Sequence, residues 1–248
     1  MNLLPVDEIR GEYRFSADNP FFGALRRLGG AEVCVGVVNG PRGIGRRVET
    51  TEGEVRVEDL RWETRPPPTP PPVDLVVGLP RPADARRILV QAAALGVRGI
   101  TFAVLDRTPP GYESSRMIAA DSVHTCFREG LAQGFHTFLP VFGLVRGLAA
   151  ALERADPSLP VTVLDPYLGE ALFGEASAQP DAPGMIVFGS ERGFSPEEQK
   201  LAASPTLRRR HLGPTILRTE TAVVAAVTLA HRATGFLNSS RSAVIAAR

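Results

Sequence analysis

Two apolar, β-branched runs flanking an amphipathic stretch fix most of what this chain can become. Asp74–Leu79 and Ile100–Leu105 each read as a buried strand. Between them, Ala85, Ile88, Leu89, Ala92 and Leu95 recur at helical spacing across residues 82–95, and Gly96 follows as a C-cap. The alternation continues: residues 115–133 predict a helix, Leu139-Pro140-Val141 is extended, and residues 143–154 predict another helix of good formers. Val161–Asp165 and Met185–Phe188 are further strands. A last helix is expected from Thr219 as N-cap, with Glu220 in its first turn. Such alternation points to an α/β fold with a largely parallel sheet.

Pro66-Pro67-Pro68-Thr69-Pro70-Pro71-Pro72 interrupts the chain before this pattern. A proline run favours polyproline II and acts as a semi-rigid spacer. The expected division is a small domain over residues 1–65, a Pro-rich linker over 66–72, and an α/β domain over 73–248. The first part reads as short strands at 32–38, 46–50 and 54–60, with Asn39-Gly40 as a turn and one short helix within 19–28. Short strands with Gly-rich turns suggest a small β-barrel.

At 248 residues, with 44% hydrophobic and 22% charged content, the composition is that of a soluble globular protein. No apolar run is long enough to span a bilayer, and a cytoplasmic location with no membrane partner is expected. Cys34 and Cys126 stand far apart and the four histidines are scattered, so no metal site is expected. The net charge of +1 does not announce a nucleic-acid partner. The basic residues are nonetheless almost all arginine, Lys200 being the only lysine. Arginine suits forked phosphate contacts, although composition bias accounts for the usage equally simply.

Two glycine loops are the most informative local feature. The apolar run Met185–Phe188 stops at Gly189-Ser190-Glu191-Arg192-Gly193, and Leu212-Gly213-Pro214 leads through Ile216, Leu217 and Arg218 into the last helix. Glycine lets main-chain N–H and C=O groups approach a flat, neutral ligand group such as adenine. Gly40–Arg47 lacks the residues of a phosphate loop and reads as a barrel turn. Arg208-Arg209-Arg210 forms a second basic cluster.

The pair 185–196 and 212–222 closely resembles the signature of the 16S ribosomal RNA uracil-N3 methyltransferases, the RsmE family of the SPOUT superfamily. The likeness is weaker over residues 79–97, at Asp106-Arg107, at Glu129–Gln133 and at Pro140-Val141, and covers most of 74–235. It implies a SPOUT-type trefoil-knotted methyltransferase domain carrying a small N-terminal PUA-like, RNA-binding β-barrel. It also implies S-adenosyl-L-methionine as cofactor, a homodimer, and 16S rRNA or the small ribosomal subunit as partner. The cofactor-binding positions carried over are Leu164, Gly189, Glu191, Gly193, Leu212, Gly213, Ile216 and Leu217. Arg218 is the catalytic candidate, to orient the target base or stabilise its developing anion; pairing with Glu220 or with a partner-subunit carboxylate is the alternative. Glu191 is assigned a structural hydrogen bond, to the second loop or to a partner chain, ahead of a role as general base. Arg42, Arg46, Arg47, Arg107, Arg208 and Arg209 are the candidate RNA contacts, each weighed against a solvated surface charge.

The chain departs from the family pattern at named positions. Ser190 replaces the proline and Arg192 a glycine of Gly-Pro-Glu-Gly-Gly, so positive φ at residue 192 would strain the loop. Gln91, Ala94 and His136 stand where the family has lysine, glutamate and arginine. These changes motivate two further readings: a methyltransferase acting on another RNA base or a ribose 2′-hydroxyl, and a non-catalytic RNA-binding or ribosome-assembly relative.

Overall fold

The computed structural model describes residues 2–51, 53–64, 69, 72–175 and 181–238. Most of the proline run, at 66–68 and 70–71, lies outside the described residues.

The first part is built from β1 (Leu4–Val6), β2 (Tyr13–Phe15), α1 (Phe22–Arg26), β3 (Glu32–Val37), β4 (Arg42–Glu49) and β5 (Val55–Trp62). The strands form one mixed sheet in the order β1-β3-β4-β5-β2, with β1 and β3 parallel and the remaining neighbours antiparallel. Period-two alternation turns Val33, Val35, Val55 and Val57 inward, and the sheet curls around them together with Leu4, Phe15 and Leu25. One expectation is corrected here. Residues 42–47 are not a turn but the first six positions of β4, because their partners across β3 and β5 extend the ladder.

The second part comprises β6 (Val73–Gly78), α2 (Pro82–Leu95), β7 (Gly99–Val104), α3 (Ala120–Gly134), β8 (Val141–Arg146), α4 (Leu148–Leu152), β9 (Val161–Leu164), β10 (Ala171–Leu172), β11 (Gly184–Phe188), α5 (Pro196–Ala202), β12 (Arg208–His211) and α6 (Thr219–Ala233). Its seven strands are all parallel, in the order β10-β12-β9-β11-β6-β7-β8. Central strands of such a sheet are covered on both faces and read as unbroken apolar runs. Leu75, Val77, Ile100, Phe102 and Ile186 meet α2, α3 and α6 on one face. Val76, Ala103, Val163 and Val187 meet α4 and α5 on the other. Among the described residues no helix is long and apolar enough to cross a membrane.

Residues 143–154 are not one helix, as expected, but the end of β8 followed by α4. The break falls at Gly147, whose φ of +82° only glycine adopts freely. The helix expected over 115–133 begins instead at Ala120, after a 3-10 turn at Arg116–Ile118. It ends at Phe135, held in the left-handed region at φ +58°.

The two sheets are fastened to each other around the end of α3. Asn39 N–H donates to the Thr137 carbonyl at 2.6 Å, and Leu139 N–H returns a bond to Asn39 Oδ1 at 2.9 Å. Thr137 Oγ1 donates to the Gly40 carbonyl at 2.8 Å. Arg42 Nη1 donates to the Phe135 carbonyl at 3.2 Å, and its guanidinium lies 5.4 Å from the centre of the Phe135 ring. Gly36 completes the joint: a Cβ there would come within 2.7 Å of both Leu3 and Thr137 side-chain atoms.

A candidate cofactor site at the strand ends

In an open parallel sheet, ligands sit beyond the carboxyl ends of the strands where the strand order reverses. From β6 the chain runs outward through β7 to β8, then returns to β9 on the far side of β11. The carboxyl ends of β9, β11 and β6 are flush, since Phe188 pairs with both Leu164 and Val77. Beyond them lies a cavity of about 680 Å³, within the ordinary range for a small-molecule site.

Three loops converge on this cavity. The one after β9 contributes Leu164, Asp165 and Pro166. Asp165 is buried, and its carboxylate accepts from the N–H groups of Tyr167 (2.8 Å) and Leu168 (3.1 Å), which folds the loop back. The second loop, Gly189–Gly193, packs directly over the end of β6. A Cβ on Gly78 would lie 2.5 Å from the Ser190 nitrogen. The third supplies Leu212, Ile216 and Leu217. Gly213 lies outside the lining; it turns this loop at φ +106° while its N–H donates to His211 Nδ1 at 3.1 Å. His211 is thus a loop anchor. Phe188, Phe194, Leu164, Leu212 and Leu217 give the cavity apolar walls between the backbone segments.

The two substitutions in the second loop fit it. Ser190 Oγ donates to the Gly193 carbonyl at 2.7 Å and accepts from Arg192 N–H at 3.2 Å. Gly193 N–H donates to the Ser190 carbonyl at 2.8 Å, closing the turn. Positive φ falls on Gly193, at +72°, and Arg192 is not among the positive-φ residues. The strain considered for Arg192 is therefore absent.

Among the described residues Glu191 makes no hydrogen bond to the second glycine loop. Its Oε1 accepts the Arg81 N–H at 3.1 Å. Arg81 is the N-cap residue of α2 and has no side-chain cap of its own, so Glu191 supplies one across 110 residues of chain. Arg218, not Thr219, occupies the N-cap position of α6, with extended backbone and no side-chain cap. The Arg218 side chain is exposed at the cavity, and among the described residues no ion pair joins it to Glu220.

The arginines expected at RNA separate into distinct groups. Arg42 is turned inward to the joint, where it also meets Glu63, so it does not face a ligand. Arg46 bridges Glu58 and Asp59. Arg47 bonds the Leu25 carbonyl and Glu49. Arg209 pairs with Glu170, while Arg208 and Arg210 converge on buried Asp181. The basic run is thus a strand bracketed by carboxylates. Arg107 alone of the set lines the cavity, where its Nη1 donates to the Arg192 carbonyl at 2.9 Å.

Arg81, Asp84, Tyr167, Gln199 and Thr215 also line the cavity and were not singled out from sequence. A strand ending before a proline-opened helix, Gly78 to Pro82, was the legible sign for the first two. His136, one of the substituted positions, is buried with its Nε2 2.6 Å from the Ala93 carbonyl and its ring stacked on Phe138. Burial pushes it down to about 4.

A parallel α/β sheet with glycine loops around a cavity at its strand ends defines a cofactor-binding domain of the nucleotide-handling kind. A family model described as an RNA methyltransferase domain matches residues 67–231. The chain belongs to that family. Ribosomal RNA small subunit methyltransferase E of Treponema pallidum is 29% identical over 209 residues, 82% of this chain and 77% of that protein. Ribosomal RNA small subunit methyltransferase E 1 of Borreliella burgdorferi is 27% identical over 153 residues, 61% of this chain and 63% of its own length. Among solved structures, a ribosomal RNA small subunit methyltransferase E from Neisseria gonorrhoeae, bound to S-adenosyl methionine, superposes with a TM-score of 0.74 at 18% identity. That match covers 94% of this chain and 97% of the other, and extends the likeness in fold to both sheets.

Proposed function

We propose that this protein transfers a methyl group from S-adenosyl-L-methionine to N3 of a uracil in 16S ribosomal RNA. The observation that carries the reading is the meeting of the 164–166, 189–193 and 212–217 loops on one cavity beside Arg218. The relatives from Treponema and Neisseria are named for small-subunit ribosomal RNA methylation, and the second holds the cofactor.

The residues present fit that cofactor. Main-chain groups of Gly189, Gly193, Leu212 and Leu217 suit an adenine edge, and Leu164 and Phe188 suit its face. When bound, S-adenosylmethionine supplies an already activated methyl carbon. The chain's part is then alignment, exclusion of water and management of one proton. Arg218, at the start of α6, would hold its charge where the uracil anion develops as N3 gives up its proton to water. Glu191, engaged as the cap of α2, is a structural group in this scheme and not the base.

A homodimer and a knotted passage of the C-terminal segment belong to the same reading. Tyr167 (78% exposed) and Ile216 (67% exposed) leave apolar surface beside the cavity that a second copy would cover. A cytoplasmic location belongs to the same reading. Nucleoside mass spectrometry of 16S rRNA from a deletion strain tests the proposal. Loss of 3-methyluridine is expected; loss of a different methylated nucleoside moves the activity to another acceptor, and no change removes it.

A further inference from the structure

We propose that Arg192 binds a backbone phosphate of the RNA strand at the mouth of the cavity. This rests on the methyltransferase reading above and adds a contact that the family's glycine at this position cannot make.

The main chain at Arg192 is fixed from three directions. Its N–H is held by Ser190 Oγ, its carbonyl by Arg107 Nη1, and the turn around it by the Ser190–Gly193 pairing. Its side chain is the opposite. It is exposed, and among the described residues it makes no hydrogen bond and no ion pair. An exposed arginine is ordinarily a solvated charge of no consequence. This one lines a ligand cavity, on a backbone that needs no ordering when a ligand arrives.

The local charges favour an anion there. Four arginines and four carboxylates line the cavity. The carboxylates are largely engaged: Asp84 between Arg81 and Arg87, Asp165 on two backbone N–H groups, Glu191 on the Arg81 N–H. Arg107, Arg192 and Arg218 have no carboxylate partner among the described residues. A nucleotide whose base enters the cavity leaves its phosphodiester at the rim, where a forked guanidinium makes paired, charge-assisted bonds.

The test measures binding of the full-length protein to transcribed 16S rRNA across a potassium chloride series, with S-adenosylmethionine titrated calorimetrically alongside. Arg192→Ala is expected to weaken RNA binding about tenfold. It should also make the log K against log salt plot shallower by about 0.7. Arg192→Lys, which keeps the charge, should retain the slope. The affinity for S-adenosylmethionine should be unchanged in both. An unchanged slope with Arg192→Ala overturns the proposal, as does failure of the wild type to bind the RNA. A tenfold loss of S-adenosylmethionine affinity at constant slope also overturns it and assigns Arg192 to the cofactor's carboxylate. If the wild type binds no S-adenosylmethionine while the slope still falls, the methyltransferase reading fails and the phosphate contact stands.

Discussion

Replacing Gly78 by alanine probes the cofactor site from beneath. The new methyl would lie 2.5 Å from the Ser190 nitrogen, 2.7 Å from its Cα and 2.8 Å from the Gly189 carbonyl carbon. All three are backbone atoms, so no side-chain rotation relieves the contact. Ordinary carbon contacts lie near 3.5–4.0 Å, so the Gly189–Gly193 loop must rise by roughly 1 Å or β6 must sink. Overpacking of this kind costs about 1–3 kcal/mol. For a chain of this size each kcal/mol lowers the melting temperature by about 2–4 °C. A loop moved by about 1 Å loses one or two backbone hydrogen bonds to whatever it holds, at ~0.5–1.5 kcal/mol each. The affinity for S-adenosylmethionine should therefore fall by between about two- and about 150-fold. Isothermal titration with Gly11→Ala as control checks this, because a methyl at Gly11 meets nothing within 4 Å. Wild-type affinity in a folded Gly78→Ala protein would refute the placement of the 189–193 loop as a cofactor wall.

Arg218→Ala should lower kcat about a hundredfold or more while S-adenosylmethionine binding stays within a few-fold, read by single-turnover methylation of 16S rRNA. Equal loss of both would make Arg218 a structural residue. His136 and His231 are buried and pushed down to about 4 from 6.5, desolvation being the main cause in each. The unfolded chain therefore binds more protons between these values, so stability is full above pH 6.5 and falls as pH drops towards 4, by up to about 3 kcal/mol per histidine. Thermal melts of the wild type and His231→Leu from pH 7.5 to 4.5 should show a shallower acid loss in the variant. Asp181→Ala leaves Arg210 without its buried carboxylate and should destabilise by about 3–5 kcal/mol in urea unfolding, with RNA affinity changed little for a protein that remains folded. A large change in the salt slope of RNA binding would instead return β12 to the RNA face.

What could be read without coordinates was whatever depends on neighbours in sequence. β6, β7, β9 and β11 are predominantly apolar because both of their faces are covered, with only Asp74, Thr101 and Thr162 interrupting them, and Gly96 ends α2 at φ +82° as a C-cap glycine should. Residues 143–154 were misread because apolar residues and good helix formers run together there, and the sole sign of a break was Gly147. α5 passed unnoticed although Ser195 and Glu198 spell a capping box, which the fold uses in full. At the site, seven of the eight proposed cofactor positions line the cavity, since glycine loops after strands carry a local signature. Partners distant in sequence leave no such mark. Nothing near Arg208–Arg210 announces Asp181, nor does anything near Arg42 announce Phe135. The role of Glu191 as a cap for α2 is equally invisible, since the two lie 110 positions apart.

The joint around Asn39 and Thr137 has a consequence for how distance is measured. Reciprocal hydrogen bonds through Asn39 and Thr137, an inward arginine and a glycine where a methyl would meet Leu3 and Thr137 leave the curled sheet little freedom to swing against the parallel one. The two parts then behave as one calliper. Any surface gripped by the first sheet is held at a set offset from the cavity on the second. Under the proposed function, choice of a nucleotide becomes in part a matter of length: only a base lying that far from an element gripped by the first sheet would arrive at Arg218.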